Sequence, residues 1–174
     1  MAETASCGAA AHARVVAADD TLCWPLDVGD PATVAHVRAI VQGALAVLGL
    51  GSDAIDDAQR CVAELVGNAA CHAWPPVELW LRIRSGAVVI AVVDGNETLP
   101  SWPALVSFET AVPPGDPDHL DRIIESLSTS GRGLALVRQL SDGSCGGFLA
   151  RTRAGAPGKA VWFATSLITG RPDA

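Results

Sequence analysis

The chain has 174 residues, of which 49% are hydrophobic and 18% are charged, and its formal net charge is -7. These values are typical of one globular domain with a buried core and exclude a largely disordered chain. An acidic chain without basic runs argues against a nucleic-acid partner, and no apolar run reaches the roughly 18 residues of a membrane-spanning helix.

The first 20 residues are rich in alanine with scattered charges and lack the basic start and apolar core of a signal peptide. We expect residues 1–20 to form a loose tail before a domain at residues 21–170. The number of cysteines is odd and no C-x-x-C pair occurs, so free thiols in a reducing cytoplasm are favoured over zinc binding or disulfides. These cysteines are Cys7, Cys23, Cys61, Cys71 and Cys145.

The first predicted elements are a short edge strand and two helices. Residues 21–27 contain Pro25, which argues against a central strand. Asp30 followed by Pro31 is typical of a helix start, and an apolar stripe at helical spacing continues until Gly49. A second helix begins near Ser52 and is stopped by the segment Trp74-Pro75-Pro76.

Two strands follow, at residues 77–84 and 87–94, joined by a tight turn at Ser85-Gly86. The first alternates apolar and polar residues, which predicts one buried face. The second is apolar throughout, which predicts a central position. Their short connection predicts an antiparallel hairpin.

The remainder begins with a long irregular segment, residues 95–130, which contains five prolines and a possible short helix at residues 119–127. Long loops in compact domains are usually functional or mobile. A helix at residues 131–140 and a hairpin formed by residues 143–152 and 159–168 complete the chain. Helices grouped among antiparallel strands predict an α+β fold, a two-layer sandwich with a mainly antiparallel mixed sheet covered by helices on one face.

The polar face of the second predicted helix carries Glu64, Asn68 and His72. Their spacing of four residues places them along one side of the helix. An amide oxygen can bind a hard cation such as Mg²⁺, and a carboxylate can orient or deprotonate a nucleophile. A solvated polar helix face explains the same spacing.

Two other segments can contact a nucleotide. Asp94 ends an apolar strand, where its carboxylate can accept a hydrogen bond from an exocyclic amine such as that of adenine, although Asp-Gly is also common in simple turns. Gly131-Arg132-Gly133 precedes a helix, so backbone N–H groups can approach a phosphate there. Many helices begin near glycine, and neither a Walker A motif nor the dinucleotide fingerprint is present.

The order of these segments resembles that of the GHKL ATPases, which have the Bergerat fold. The run from Glu64 to Ala73, ELVGNAACHA, resembles the N box of that superfamily. Val-Val-Asp94-Gly-Asn resembles the G1 box, SGRGLALV at residues 130–137 resembles the G2 box, and KAVWF at residues 159–163 resembles the closing strand. Within the superfamily the chain is similar to the small bacterial anti-sigma-factor serine kinases and their single-domain ATP-binding relatives, over residues 22–167.

This resemblance implies that ATP and Mg²⁺ are the cofactors. Glu64 would be the catalytic base or would position the attacking hydroxyl, Asn68 would bind Mg²⁺, and Asp94 would hold adenine. Residues 96–130 would include a lid over the nucleotide. The other ATP-binding residues that it implies are His72, in a supporting role, Gly131, Arg132, Gly133 and Leu134 beside the triphosphate, and Thr165 near adenine through a water.

The resemblance also implies a function. Related proteins phosphorylate a serine of an antagonist protein and otherwise hold a sigma factor, which regulates transcription by partner switching. The G1 segment here lacks the usual glycines, so an ATP-binding regulatory module with little or no kinase activity is an alternative. A detached histidine-kinase catalytic domain is disfavoured because no helix pair carries a phosphoacceptor histidine. The resemblance allows a homodimer, for which pairing through the edge strand near Leu22 is one route.

Overall fold

The structure is a computed structural model, which describes residues 21–102 and 132–167. The predicted tail at residues 1–20, the predicted helix at residues 119–127 and the end of the predicted domain at residues 168–170 lie outside the described residues. The elements in chain order are β1 (Leu22–Leu26), α1 (Thr33–Val47), α2 (Ser52–His72), β2 (Val77–Arg84), β3 (Ala87–Asp94), α3 (Arg132–Leu140), β4 (Cys145–Arg151) and β5 (Pro157–Ser166).

The strands form one five-stranded sheet in the order β1-β2-β3-β5-β4. Every pairing among the described strands is antiparallel, so the expected mixed sheet is fully antiparallel in this part of the chain. β3 is the central strand and β1 lies at an edge, as the sequence predicts. Ser85 and Gly86 join β2 to β3 with φ values of 51° and 77°, the positive φ that a two-residue hairpin turn requires.

The helices cover one face of this sheet and bury the main core against it. α1 contributes a fully buried stripe at Val37, Val41 and Leu45, and the sheet contributes residues such as Ile90 and Phe163. α2 contributes the predicted stripe, which consists of Ala58, Cys61, Val62, Leu65, Val66 and Ala69. The predicted two-layer α+β sandwich is therefore confirmed.

The opposite sheet face carries a smaller apolar cluster, formed by Trp80, Ala91, Val93, Ala150 and Ala160. A buried carboxylate belongs to this face. Glu78 accepts a hydrogen bond from the Trp80 indole at 2.8 Å and from the Arg153 backbone N–H at 3.0 Å. Because a buried carboxylate needs hydrogen-bond donors, these contacts explain how Glu78 is tolerated in an apolar sheet.

The four cysteines of the described segments are thiols outside any disulfide, as predicted. Cys61 and Cys145 are buried, and Cys71 is exposed. Burial, with a smaller contribution from the nearby Asp57 carboxylate, raises the pKa of the Cys61 thiol to about 12. No helix of the described segments is both long enough and apolar enough to cross a membrane.

Candidate functional site

A cavity of about 690 Å³ opens between the C-terminal half of α2, the ends of β3 and β5, and α3. It combines apolar walls with a few polar groups, which is typical of a small-molecule site. Its lining residues are Leu65, Asn68, Ala69, Cys71, His72, Ala73, Trp74, Val92, Asp94, Asn96, Thr98, Leu99, Pro100, Ser101, Leu134, Lys159 and Val161.

α2 brings two of its three predicted site residues to this cavity. Asn68 and His72 line it, and His72 is exposed at the end of the helix. The Asn68 amide nitrogen is buried and has no hydrogen-bond partner among the described residues. Since buried amide nitrogens normally find an acceptor, this N–H group can donate to a ligand in the cavity. Glu64 lies one turn earlier and is not part of the lining.

Asp94 lies at the end of β3 with its side chain only 4% exposed. Its Oδ1 accepts a hydrogen bond from the Asn96 backbone N–H at 2.7 Å and from Lys159 Nζ at 3.0 Å. Lys159 is paired with Asp94 in the antiparallel register of β3 and β5, and its Nζ also donates to the Asn96 carbonyl at 3.1 Å. The cavity wall therefore contains a buried ion pair.

Backbone contacts hold the end of α2 against the end of β3. The Gly95 N–H donates to the Trp74 carbonyl at 2.7 Å, and the Asn96 side-chain amide donates to the His72 carbonyl at 2.9 Å. A Cβ on Gly95 would lie 2.8 Å from the carbonyl oxygen of Pro75, so only glycine fits this close approach. These contacts explain why residues 26 positions apart, Asn68 and Asp94, face one cavity.

The start of α3 packs against Glu64. A Cβ added to Gly133 would collide with the Glu64 carboxylate and lie 3.4 Å from its Cδ atom, so the absence of a side chain at Gly133 makes this packing possible. Leu134 follows and lines the cavity. Gly131 lies outside the described residues, and Arg132 is described only as the first residue of α3.

Two features differ from the sequence-based expectation. Thr165 was expected near the base, but β5 pairs it with Val88, six residues along β3 from Asp94. At about 3.3 Å per residue that separation is about 20 Å, so Thr165 lies far from Asp94, and its contact with a nucleotide stays a prediction. Lys159 occupies the position beside Asp94 instead. A charged residue opening an apolar strand is the signal that could have indicated it.

The architecture is that of an α+β domain whose cavity lies between two helices and the end of an antiparallel sheet. The chain matches the family described as a histidine kinase-like ATPase domain over residues 28–164. It therefore belongs to this family, which is consistent with the resemblance to GHKL ATPases. None of the curated proteins compared with the chain matches it.

The residues at the cavity fit a magnesium–nucleotide complex. No cluster of three or more His, Cys, Asp or Glu side chains suited to a metal occurs in the ranges that the structure describes. Mg²⁺ usually takes only one or two protein ligands and completes its shell with phosphate oxygens and water. A single amide oxygen from Asn68, which lines the cavity, would be sufficient as the protein ligand.

Proposed function

We propose that the chain binds Mg²⁺–ATP in this cavity and acts as a serine/threonine protein kinase of the anti-sigma-factor type. The observation that carries the proposal is the joint placement of Asn68, Asp94 and Leu134 on one cavity, with Glu64 against Gly133 at its edge. These residues belong to three different segments of the GHKL pattern, the N box, the G1 box and the G2 box. Their meeting in space supports a nucleotide site more strongly than any segment does alone.

Adenine would occupy the end of the cavity beside Asp94. Val92 and Val161 provide apolar surface on the adjoining strands, and the Asp94 carboxylate provides the acceptor for the exocyclic amine. A flat apolar ring with a polar edge is suited to walls of this kind. The triphosphate would then extend along α2 towards Asn68 and the start of α3.

At the phosphate end, Asn68 would bind Mg²⁺ through its amide oxygen, and the N-terminal turn of α3 would offer backbone N–H groups to the phosphates. When bound, Mg²⁺ would neutralise part of the charge on the phosphate oxygens. Glu64 would accept the proton of an incoming serine hydroxyl. The serine oxygen would then bond to the γ-phosphorus as the bond to ADP breaks, a reaction that depends mainly on positioning and charge stabilisation.

Nucleotide binding is tested by calorimetry with Mg²⁺–ATP. We expect binding by the wild type, a strong loss in Asn68→Ala, and little change in the control Gln59→Ala, which removes an amide from α2 outside the cavity. Binding that needs no Mg²⁺ and is equal in all three proteins would contradict the proposed site.

Kinase activity is tested by incubating the protein with Mg²⁺–ATP and candidate antagonist proteins, followed by detection of phosphoserine. Glu64→Gln should abolish transfer while ATP still binds. Asp56→Asn removes an exposed carboxylate from the same helix, away from the cavity, and should leave transfer unchanged. Loss of transfer in both variants would show that Glu64 has no special role.

The second candidate is an ATP-binding regulator without kinase activity. The G1 segment favours it, because the sequence after Asp94 is Gly-Asn-Glu-Thr and lacks the usual glycines, which weakens the phosphate side of the site more than the adenine side. ATP binding without phosphoserine on any antagonist, and with no effect of Glu64→Gln, would support this candidate over the kinase.

The proposed protein partners are a sigma factor and an antagonist of the anti-sigma activity. A homodimer through β1 is a further proposal, supported by the edge position of this strand and by Leu22, which is 58% exposed. Light scattering of the wild type and of Leu22→Lys tests it. A dimer that persists unchanged in the variant would point to another surface.

A further inference from the structure

Lys159 is the sole lysine of the sequence, and it is buried in the wall of the cavity rather than on the surface. Its side chain is 7% exposed. An ammonium group carries three N–H donors. Two of them are used, on Asp94 Oδ1 at 3.0 Å and on the Asn96 carbonyl at 3.1 Å. The third has no acceptor among the described residues.

The partner carboxylate is also only half used. Asp94 Oδ1 accepts from both Lys159 and the Asn96 N–H, whereas Oδ2 receives no hydrogen bond from any residue in the described ranges. Both side chains line the cavity. The wall thus presents one free acceptor and, a few ångströms away, one free charged donor.

Adenine has a matching edge. Its exocyclic amino group is a donor, and each of the two ring nitrogens beside that group, N1 and N7, is an acceptor. Guanine carries a carbonyl oxygen where adenine carries the amino group, so it would place an acceptor against the Asp94 carboxylate. An adjacent acceptor and donor fixed in the protein can therefore pair with both groups of adenine. Guanine can match the same two groups only through O6 and N1–H, in a shifted position, so the GTP measurement is part of the test.

We propose that Lys159 recognises adenine. It donates its third N–H to a ring nitrogen of the base, while Asp94 accepts a hydrogen bond from the amino group. The inference rests on the proposed ATP site and adds a specificity-determining residue to it. A site that hydrogen-bonds a ligand atom discriminates strongly against an analogue that lacks this atom, because the charged donor is then left buried without a partner.

If Lys159 served only as a structural counter-ion, the pattern of nucleotide affinities would be different. In that case Lys159 would neutralise Asp94, and removing it would weaken folding and the binding of every nucleotide alike. Recognition of adenine by Lys159 instead predicts that the loss of affinity depends on one atom of the base. The comparison of nucleotides within each protein separates the two roles, because a ratio of affinities does not depend on the fraction of folded protein.

The test measures dissociation constants of ATP, 1-deaza-ATP, 7-deaza-ATP and GTP by calorimetry, first with the wild type. We expect one of the two deaza analogues to bind about tenfold or more weakly than ATP, a loss typical of a charged hydrogen bond. That analogue identifies the ring nitrogen. We expect GTP to bind at least as weakly.

The same series is then measured with Lys159→Gln, whose amide has two N–H donors for Asp94 and Asn96 and none for the base. The ratio of the dissociation constants of the selected deaza analogue and ATP should fall to about twofold or less. Lys159→Met, which removes all three donors, should give the same ratio. Thermal unfolding of each variant verifies that folded protein is being compared.

A second readout uses the fact that the chain has one lysine. Protein labelled with [¹⁵N]lysine contains a single side-chain ammonium signal, which should shift on addition of ATP and shift much less with the selected deaza analogue.

Three results would overturn the inference: equal wild-type affinity for ATP and both deaza analogues, unchanged discrimination in Lys159→Gln, or a preference for GTP. If ATP itself does not bind the wild type, the proposed function fails instead, so the two failures are distinguishable.

Discussion

The substitution Gly158→Ala, at the start of β5, should be the most informative single change. A Cβ there would collide with the carbonyl oxygen of Asp94 and would lie 2.8 Å from its carbonyl carbon and 3.1 Å from the Cα of Gly95. All three atoms belong to the main chain, so no side-chain rotation can relieve the contact. In Gly158→Ala, β3 and β5 must therefore separate at the end that carries the Asp94–Lys159 ion pair.

The size of the effect follows from this geometry. Overpacking a buried position lowers the free energy of unfolding by about 1–3 kcal/mol. Because only movement of the main chain can relieve the contact here, we expect Gly158→Ala to lose about 3 kcal/mol. The separation would also disturb the base end of the cavity, so we expect weaker binding of Mg²⁺–ATP by the folded variant.

Urea denaturation followed by tryptophan fluorescence measures the first effect, with an unchanged slope as evidence that the same surface is exposed. The matched control is Gly43→Ala on the exposed face of α1, where an added Cβ meets nothing within 4 Å. Alanine there should raise the free energy of unfolding by about 0.5–1 kcal/mol through helix propensity. A Gly158→Ala protein within about 0.5 kcal/mol of the wild type would refute the reasoning, because that is the range of substitutions that disturb nothing.

Three further predictions concern the start of α3 and two cysteines of α2. Gly133→Ala should displace the Glu64 carboxylate, a flexible group, so we expect phosphoryl transfer to fall by about 100-fold with ATP affinity nearly unchanged; equal losses of both would indicate a general disruption of the site. Mg²⁺–ATP should protect Cys71 from iodoacetamide in residue-resolved mass spectrometry, since this exposed thiol lines the cavity. In the same experiment Cys61 should stay unlabelled until the protein unfolds, because burial raises the pKa of its thiol to about 12 and leaves little reactive thiolate. Rapid labelling of Cys61 in the folded state would contradict its burial.

Local patterns were sufficient to predict most of the elements. β2 and β3 have the predicted bounds because alternating and continuous apolar runs end at clear turn residues. The second hairpin was predicted less well. β4 begins at Cys145 rather than at residue 143, because Gly143, with φ of 77°, belongs to the turn after α3. That turn depends on how α3 ends, which the strand-like sequence does not reveal.

The site was predictable where its residues share one element or one motif, as Asn68 and His72 do. The position of Lys159 beside Asp94 was not predictable, because it depends on the register between two strands that are more than 60 residues apart in sequence. The distance between Thr165 and Asp94 was not predictable for the same reason. The distance of a strand residue from the site depends on which residue of the neighbouring strand it pairs with. Local periodicity does not show this long-range pairing.

The strict alternation of β5 makes the cavity and the core depend on one another. Lys159, Val161 and Phe163 face the helices, whereas Ala160 and Trp162 belong to the opposite side of the sheet. Deleting one residue within this strand would exchange the two sets, removing the ammonium group from the cavity and the Phe163 ring from the core together. Insertions and deletions should therefore be restricted to the turn at residues 153–156, and relatives that differ in length should differ there while the five residues from Lys159 to Phe163 keep their spacing.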